Sequence, residues 1–535
     1  MKKPIPIIDL FAGPGGLGEG FSSIHGADDK PVFQIKLSIE KDPIAHKTLT
    51  LRAFFRQFPK GKAPDEYYHY LRGDISREEL FKGYPKQAKE AMEEAQCLTL
   101  GKDDVKGLID ERLSGIGNKP WVLIGGPPCQ AYSLVGRATM SGKGMRRDDE
   151  TKAEYEQRAA DKKAKFESDH RHTLYLEYLK IIGDHWPSIF VMENVKGILS
   201  SKFEGKSIFP EILKDLEDPS RACKVKGKKY KYQLRSFVVR EGEGNLPGLG
   251  NSDGSGLNHT DYLIKAEKYG VPQRRHRVIL LGVREDFNAD ANKLLLEKEE
   301  LNLEDIIGDL PKLTGGLSKG DYDSPYKALV SIKDEAWWPK LVREDKVFKR
   351  MEQNLKNCLK REKRGVRYVA KDEKRKQARQ LQEWYSDNRL KGFCNHETRS
   401  HIREDLWRYF YSACYAEVHK RSPHLRDYPA PLLPKHKNVG DAISGSKFGD
   451  RFRTQTREGA ATTVISHISK DGHYFIHYDP KQYRSLTARE AARIQTFPDN
   501  YFFEGPRTQQ YHQVGNAVPP YLAYQLAEVV SMLIR

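Results

Sequence analysis

The stretch Ile5-Pro6-Ile7-Ile8-Asp9-Leu10-Phe11-Ala12-Gly13-Pro14-Gly15-Gly16-Leu17-Gly18-Glu19 decides the fold. Ile5 to Phe11 reads as a short apolar strand interrupted by Pro6 and Asp9. A glycine turn, Gly13 to Gly18, follows, and Glu19 to Ile24 opens a helix. Gly13, Gly15 and Gly18 satisfy GxGxxG, and Glu40 closes a second apolar run, Phe33 to Ile39, about twenty residues on. Glycines allow a tight turn and the approach of a ligand to the backbone, and the helix start favours an anion or a polar tail. An acidic residue at the second strand's end accepts hydrogen bonds from ribose hydroxyls. The spacing alone leaves NAD, FAD, S-adenosylmethionine (SAM) and a plain structural turn open. Asp9 tilts the balance, because a carboxylate repels a phosphate but suits the amino group of SAM. Gly73-Asp74-Ile75 offers a second carboxylate on a loop, suited to the adenine amino group, although an ordinary turn aspartate fits as well.

Outward from that stretch, Trp121 to Gly125, Ile189 to Met192 and Val278 to Val283 are further short apolar runs. Buried parallel strands look like this, and ligand groups collect at their C-terminal ends. Leu174 to Ile182 suits a crossover helix. These elements predict a doubly wound, Rossmann-like α/β domain with a mixed, mostly parallel sheet over about residues 1–287. The texture changes from 288 to 478, where no strand-helix unit recurs and Lys, Arg, Trp and Tyr are frequent. Residues 346–379 hold 14 basic and 4 acidic side chains, which a solvated helical face explains as readily as a ligand surface. From 479 to 535 the pattern turns helical again. Thr487 and Glu490 form a capping-box pair, and Leu522, Leu526, Val529, Val530 and Leu533 share one face of a terminal helix.

The 535 residues suggest two or three domains. Hydrophobic residues make up 38%, charged residues 31% and aromatics 10%, which excludes a disordered chain. No run approaches the roughly 18–20 apolar residues of a membrane span. Six cysteines lie far apart with no CxxC pair, against a zinc ribbon or disulfide scaffold and in favour of a reducing, cytosolic compartment. The net charge of +17 is a common footprint of a nucleic-acid partner.

Chemistry-bearing residues sit at the ends of the apolar runs. Gly125-Gly126-Pro127-Pro128-Cys129-Gln130 follows one directly. Two prolines remove two donors and turn the chain out of the sheet, which places Cys129 at the ligand-binding edge. A lone cysteine is more often a small buried hydrophobe, but that turn favours a nucleophile. Ile189-Phe190-Val191-Met192 carries Glu193 to the same edge, where a helix-capping role is the plainer alternative. In Gln273-Arg274-Arg275-His276-Arg277, residues 273, 275 and 277 project to one side of an extended chain. A basic guard on an edge strand would look the same.

Together these residues resemble the DNA (cytosine-5)-methyltransferase family. Asp9 to Gly16 resembles its first motif, Pro127-Pro128-Cys129-Gln130 its catalytic motif, and Glu193-Asn194-Val195 and Gln273 to Arg277 the next two. Arg484 to Glu490, running on to Gln495-Thr496-Phe497-Pro498, resembles the ninth, and Gln513-Val514-Gly515-Asn516-Ala517-Val518 the last. They occur in the family's order, over residues 5–284 and 484–535.

The resemblance implies a SAM-dependent methyl transfer to carbon 5 of a flipped-out cytosine through a Cys129 adduct, with no metal. It implies Glu193 at the base's N3 and Arg277, with Arg275, at its O2. It implies a SAM pocket from Asp9, Phe11, Gly13, Gly15, Gly16, Glu40, Asp74, Ile75, Pro127, Asn516 and Val518. Gln130, Ser133, Arg137, Arg171 and Gln273 are the expected DNA contacts, and 288–478 the recognition domain. The loop from Ala131 to Thr173 is longer than in compact family members, with an insertion at about 137–170. Double-stranded DNA is the expected partner, with a cognate restriction or defence protein as a second one. A cytoplasmic bacterial or archaeal monomer is expected. An RNA methyltransferase and an inactive DNA-binding regulator are the alternatives. A nicotinamide or flavin oxidoreductase leaves Cys129, Glu193 and the arginines unexplained, and the PCxxC pair of a zinc deaminase is absent.

Overall fold

The computed structural model describes residues 3–117, 119–128, 151, 170–203, 206–223, 230–240, 257–287, 293–318, 320, 322–371, 380–435, 439–440 and 449–534. Its main sheet contains β1 (Ile5–Leu10), β2 (Phe33–Ile39), β3 (Ala95–Gln96), β4 (Val122–Gly125), β5 (Ile189–Val195), β6 (Tyr232–Arg235), β7 (Leu263–Lys265) and β8 (His276–Arg284). The order is β3-β2-β1-β4-β5-β8-β6, with β7 beside the start of β8. β1 to β5 are parallel, whereas β8 runs antiparallel to β5. That corrects the reading of Val278 to Val283 as one more parallel strand. A short apolar run looks alike in either direction, because its side chains are buried on both faces.

Strand alternation builds two cores. Ile8, Leu10, Leu123, Phe190, Met192, Val278 and Leu280 pack on one face. Ile7, Val122, Ile124, Ile189, Val191, Ile279 and Leu281 pack on the other. The helices that matter for the site are α1 (Gly16–Ser22), α2 (Pro43–Arg56), α3 (His170–His185), α4 (Arg403–His419), α5 (Ala488–Ile494), α6 (Arg507–Asn516) and α7 (Pro520–Ile534). α3 covers the first face through Leu174, Tyr178, Leu179 and Ile182. α1 and α7 cover the second through Leu17, Phe21, Leu522, Leu526 and Val530. Among the described residues Arg507–Ile534 is long and apolar enough on average to cross a membrane, and 72% of its most apolar stretch is buried in this protein.

Capping sets the helix starts. Asp42 accepts from the backbone N–H groups of Ile44 (2.9 Å) and Ala45 (2.8 Å), with Pro43 in the first turn of α2. Thr487 and Glu490 form the expected capping box of α5. Beyond the sheet, one apolar cluster joins Leu301–Leu310, Ala461–Tyr478 and Leu486–Ala517, so packing runs continuously across residue 478. A second cluster surrounds α4, with Trp338, Phe348, Met351, Trp407 and Tyr411 at its centre.

Candidate active site

The strand order reverses between β1 and β4, and Leu10, Gly125, Ile39 and Met192 stand level in register. Ligands bind beyond the carboxyl ends of strands at such a switch point. Phe11, the Gly126-Pro127-Pro128 turn and Glu193 all emerge there. The turn is held close. Asn194 Nδ2 donates to the Pro127 carbonyl at 2.8 Å, and a Cβ on Gly126 would stand 3.0 Å from Glu193 Oε2. Cys129, Gln130, Ser133 and Arg137 lie outside the described residues, as does the insertion at 137–170 save residues 151 and 170. Arg171 lies in the first turn of α3, and its side chain is likewise outside the description.

Antiparallel pairing places Arg277 opposite Val195. Its Nε stands 2.8 Å from Glu193 Oε1, an ion pair with both side chains mostly buried. The other members of the arginine segment face elsewhere. Arg275, expected at the base, is wholly buried, and its Nη1 donates to Val464 O at 2.8 Å and to Gly515 O at 3.4 Å. Burial, with Arg277 adding repulsion, pulls its guanidinium down to about 9. Gln273, expected at DNA, is fully buried. Its Nε2 donates to Ile494 O (2.9 Å) and Gln495 Oε1 (2.7 Å), and its Oε1 accepts from Val464 N (3.0 Å). The expected alternation breaks at Arg277, which turns to Glu193, whereas Gln273 and Arg275 share a side that faces the protein interior. There Gln273–Arg274 pairs with Ala461–Thr462.

On the cofactor side, Phe11 and Gly13 take positive φ of 57° and 58°. Non-glycine residues seldom adopt that conformation, so Phe11 is held there by its surroundings. Gly13 N–H donates to Glu40 Oε2 at 2.8 Å, and Asp42 N–H donates to Glu40 Oε1 at 2.8 Å. The carboxylate therefore fastens the glycine turn to the end of β2, and burial raises its pKa against those two bonds. Among the described residues no heavy atom would lie within 4 Å of a Cβ on Gly13, so they leave that side of the turn open. Gly15, at φ 99°, packs on Leu49 and on Tyr501, whose hydroxyl donates to Pro14 O. Asp9 is wholly buried next to Gly18, and among the described residues neither carboxylate oxygen has a hydrogen-bond partner. Burial pushes its carboxyl up to about 8, against the opposing pull of Arg56. An orphaned buried carboxylate, an open glycine face and a fixed acidic residue together fit a ligand bearing a cationic amino group and hydroxyls.

Val518 is seated against this turn, its carbonyl oxygen 2.2 Å from where a Cβ on Gly16 would be. Asn516 is exposed at the end of α6, with Nδ2 3.4 Å from the His512 ring nitrogens. Asp74 and Ile75 do not end a strand of the sheet. They follow the helix Asp65–Arg72, and Asp74 pairs with His69 (3.0 Å) and Arg72 (3.1 Å) at the surface. The strand beside β2 is Ala95–Gln96, so Cys97 and Leu98 are the residues that leave that edge of the sheet. Two residues of strand carry no readable pattern, whereas Gly-Asp-Ile has the look of a loop motif. Asn194 and Gln495 were not singled out either. Among the described residues, no group of three or more His, Cys, Asp or Glu side chains is arranged to hold a metal.

The family model for C-5 cytosine-specific DNA methylase matches residues 83–220 and 255–532. The type II methyltransferase M.Bpa9945I of Bacillus paralicheniformis is 31% identical over 99% of both chains. The type II methyltransferase M.DdeI of Desulfomicrobium norvegicum is 26% identical over 98% of this chain and 88% of its own. A solved DNA modification methyltransferase encoded within an E. coli prophage aligns over 98% of both chains, at 16% identity and a TM-score of 0.48. The chain belongs to the C-5 cytosine-specific DNA methylase family. It is accordingly a DNA (cytosine-5)-methyltransferase.

Proposed function

We propose that the enzyme takes its methyl group from SAM and acts on a cytosine flipped out of duplex DNA, through a covalent adduct of Cys129. The observation that carries this reading is the Glu193–Arg277 pair, held level with the Pro127-Pro128 turn at the switch point. Asp9, the open face of Gly13 and Glu40 would hold the cofactor, with Phe11 and Val518 beside them. When bound there, the cofactor supplies a methyl group on an electron-poor sulfonium sulfur.

Carbon 6 is hidden in stacked duplex, so the base must leave the helix. The Cys129 thiolate adds to carbon 6 and pushes the ring electrons towards carbon 5, dividing one difficult step into two. Glu193 holds the proton at N3 as charge builds on the ring. Arg277 fixes the Glu193 carboxyl group and reaches O2. After methylation, loss of the carbon 5 proton returns the electrons that expel Cys129, and the thiolate is restored.

Residues 288–478 form the grip on DNA, where phosphate contacts supply affinity and a few side chains read bases. The enzyme works as a cytoplasmic monomer. The type II names of its relatives support a role in marking self DNA beside a cognate restriction or defence protein. The test is base-resolution methylation sequencing of DNA from a methylation-free bacterial host expressing the wild type or Cys129→Ala. A methylated motif present only with the intact thiol is expected. An unmethylated genome with folded protein would overturn the reading.

A further inference from the structure

The turn at the end of β4 cannot fasten itself. Pro127 and Pro128 contribute no backbone N–H, so the handle left on Pro127 is its carbonyl oxygen. Asn194, 3% exposed in β5, supplies the donor through Nδ2 at 2.8 Å. Its Oδ1 accepts from Val195 N–H at 2.9 Å. That second bond fixes which way the amide points, because the end committed to an N–H must be oxygen and the end facing Pro127 must be nitrogen. From the other side, a Cβ on Gly126 would stand 3.0 Å from Glu193 Oε2 and 3.2 Å from Glu193 O. The turn and the Glu193 strand are therefore joined by a hydrogen bond on one side and by close packing on the other.

We propose that Asn194 is a positioning residue that locks the Pro127-Pro128 turn to the Glu193 strand. The Pro127-Pro128 turn and the Glu193 carboxyl group are then held at one fixed spacing. Isolated packing of a strand end would not need a buried amide, because an apolar residue there would fill the same space without a polar group to satisfy. The chain instead spends both ends of the Asn194 amide on backbone groups, one of them in the turn.

The inference rests on the covalent reading above, and its test separates the two. Asn194→Ala and wild type are compared in single-turnover methyl transfer and in trapping by DNA carrying 5-fluorocytosine. A misplacement of about 1 Å costs about 100-fold, so kcat and the trapping rate should fall together by about that factor, with KM for DNA and SAM affinity within about threefold. Trapping by Asn194→Ala at the wild-type rate overturns the proposal. If Asn194→Ala does not fold, Gly126→Ala decides. Its methyl group presses the turn away from Glu193 with Asn194 intact, so a loss in kcat at unchanged KM supports the lock and wild-type kcat overturns it. Cys129→Ser is the control for the covalent reading. Trapping by that variant would sink the adduct and leave the spacing argument to the kcat data.

Discussion

Gly16 and Val518, some five hundred residues apart, are in backbone contact, for a Cβ on Gly16 would lie 2.2 Å from the Val518 carbonyl oxygen. The obstacle is backbone, so it cannot swing aside. Gly16→Ala should cost about 1–3 kcal/mol through overpacking and loosen the last motif from the first. Gly13 is the contrast, with φ 58° and open space around the missing Cβ. Gly13→Ala should cost about 1 kcal/mol of backbone strain and act mainly on ligand binding. Thermal unfolding and calorimetric SAM titration check the pair. Equal effects of the two on SAM affinity would show that Gly13 does not face the ligand.

That contrast shows what the sequence made legible. The glycine spacing announced a turn, a helix and a switch point, because only the backbone conformation is at stake. It did not say that Gly16 serves packing against Val518 and Gly13 an open face, since that depends on a segment from the far end of the chain. Glu193 and Arg277 were readable because each ends or begins a strand with a strong apolar pattern. Gln273 and Arg275 were misread because alternation tells which residues share a side, not which side faces solvent.

Glu193 and Arg277 should behave as a unit. Glu193→Gln keeps the shape but removes the ionisable group, and methyl transfer should fall by about 10²–10⁴-fold. DNA binding should persist, since the carboxylate is mostly buried against Arg277 and offers no phosphate contact. Methyl transfer and a DNA mobility shift, run on the same protein, check this. Full turnover by the variant would remove Glu193 from the chemistry.

Asp74 and Glu40 separate motif from position. Asp74 is half exposed and pairs with His69 and Arg72, whereas Glu40 binds the N–H of Gly13. Asp74→Asn should leave SAM affinity within about twofold, as surface substitutions do. Glu40→Gln should weaken it by about tenfold or more, because a hydrogen bond to a charged group is worth about 1.5–3 kcal/mol. Equilibrium SAM binding to both variants is the measurement, and weakening by Asp74→Asn alone would reverse the assignment.

Acid should loosen the region around α4 and α5. Burial holds His396 down to about 4 and His477 to about 3, and it also lowers His401 and His473. His396 lies between Thr487 Oγ1 (2.9 Å) and Pro311 O (2.8 Å). Each stays neutral in the fold but takes a proton near pH 6.5 once unfolded, so stability is intact above that value and falls as pH drops below it. At pH 5 a histidine held at about 4 should cost about 2 kcal/mol relative to pH 8. Asp9 opposes this, because its raised carboxyl favours the folded state towards acid. Unfolding midpoints from pH 8 to 4.5 should therefore fall below about pH 6.5, and more gently in His396→Gln. A flat profile would contradict the burial of these rings.

Arg275 and Arg277 differ in kind although two residues apart. The Arg275 guanidinium ties Val464 O and Gly515 O to the start of β8, and so joins the recognition region's return to the last motif. Arg275→Met removes those donors from buried carbonyls, at about 1–3 kcal/mol for each acceptor left unpaired, partly offset by relief of a buried charge. Its melting temperature should drop, and DNA affinity should weaken more than SAM affinity. Arg277→Met leaves the mostly buried Glu193 carboxylate unpaired, so it should also lower the melting temperature, but its larger effect should be on kcat, because its partner is Glu193 at the site. Melting curves, SAM and DNA binding, and single-turnover rates on the two variants separate these roles. If Arg275→Met lowered kcat with stability intact, that side chain would have to reach the base, against its burial beneath Val464.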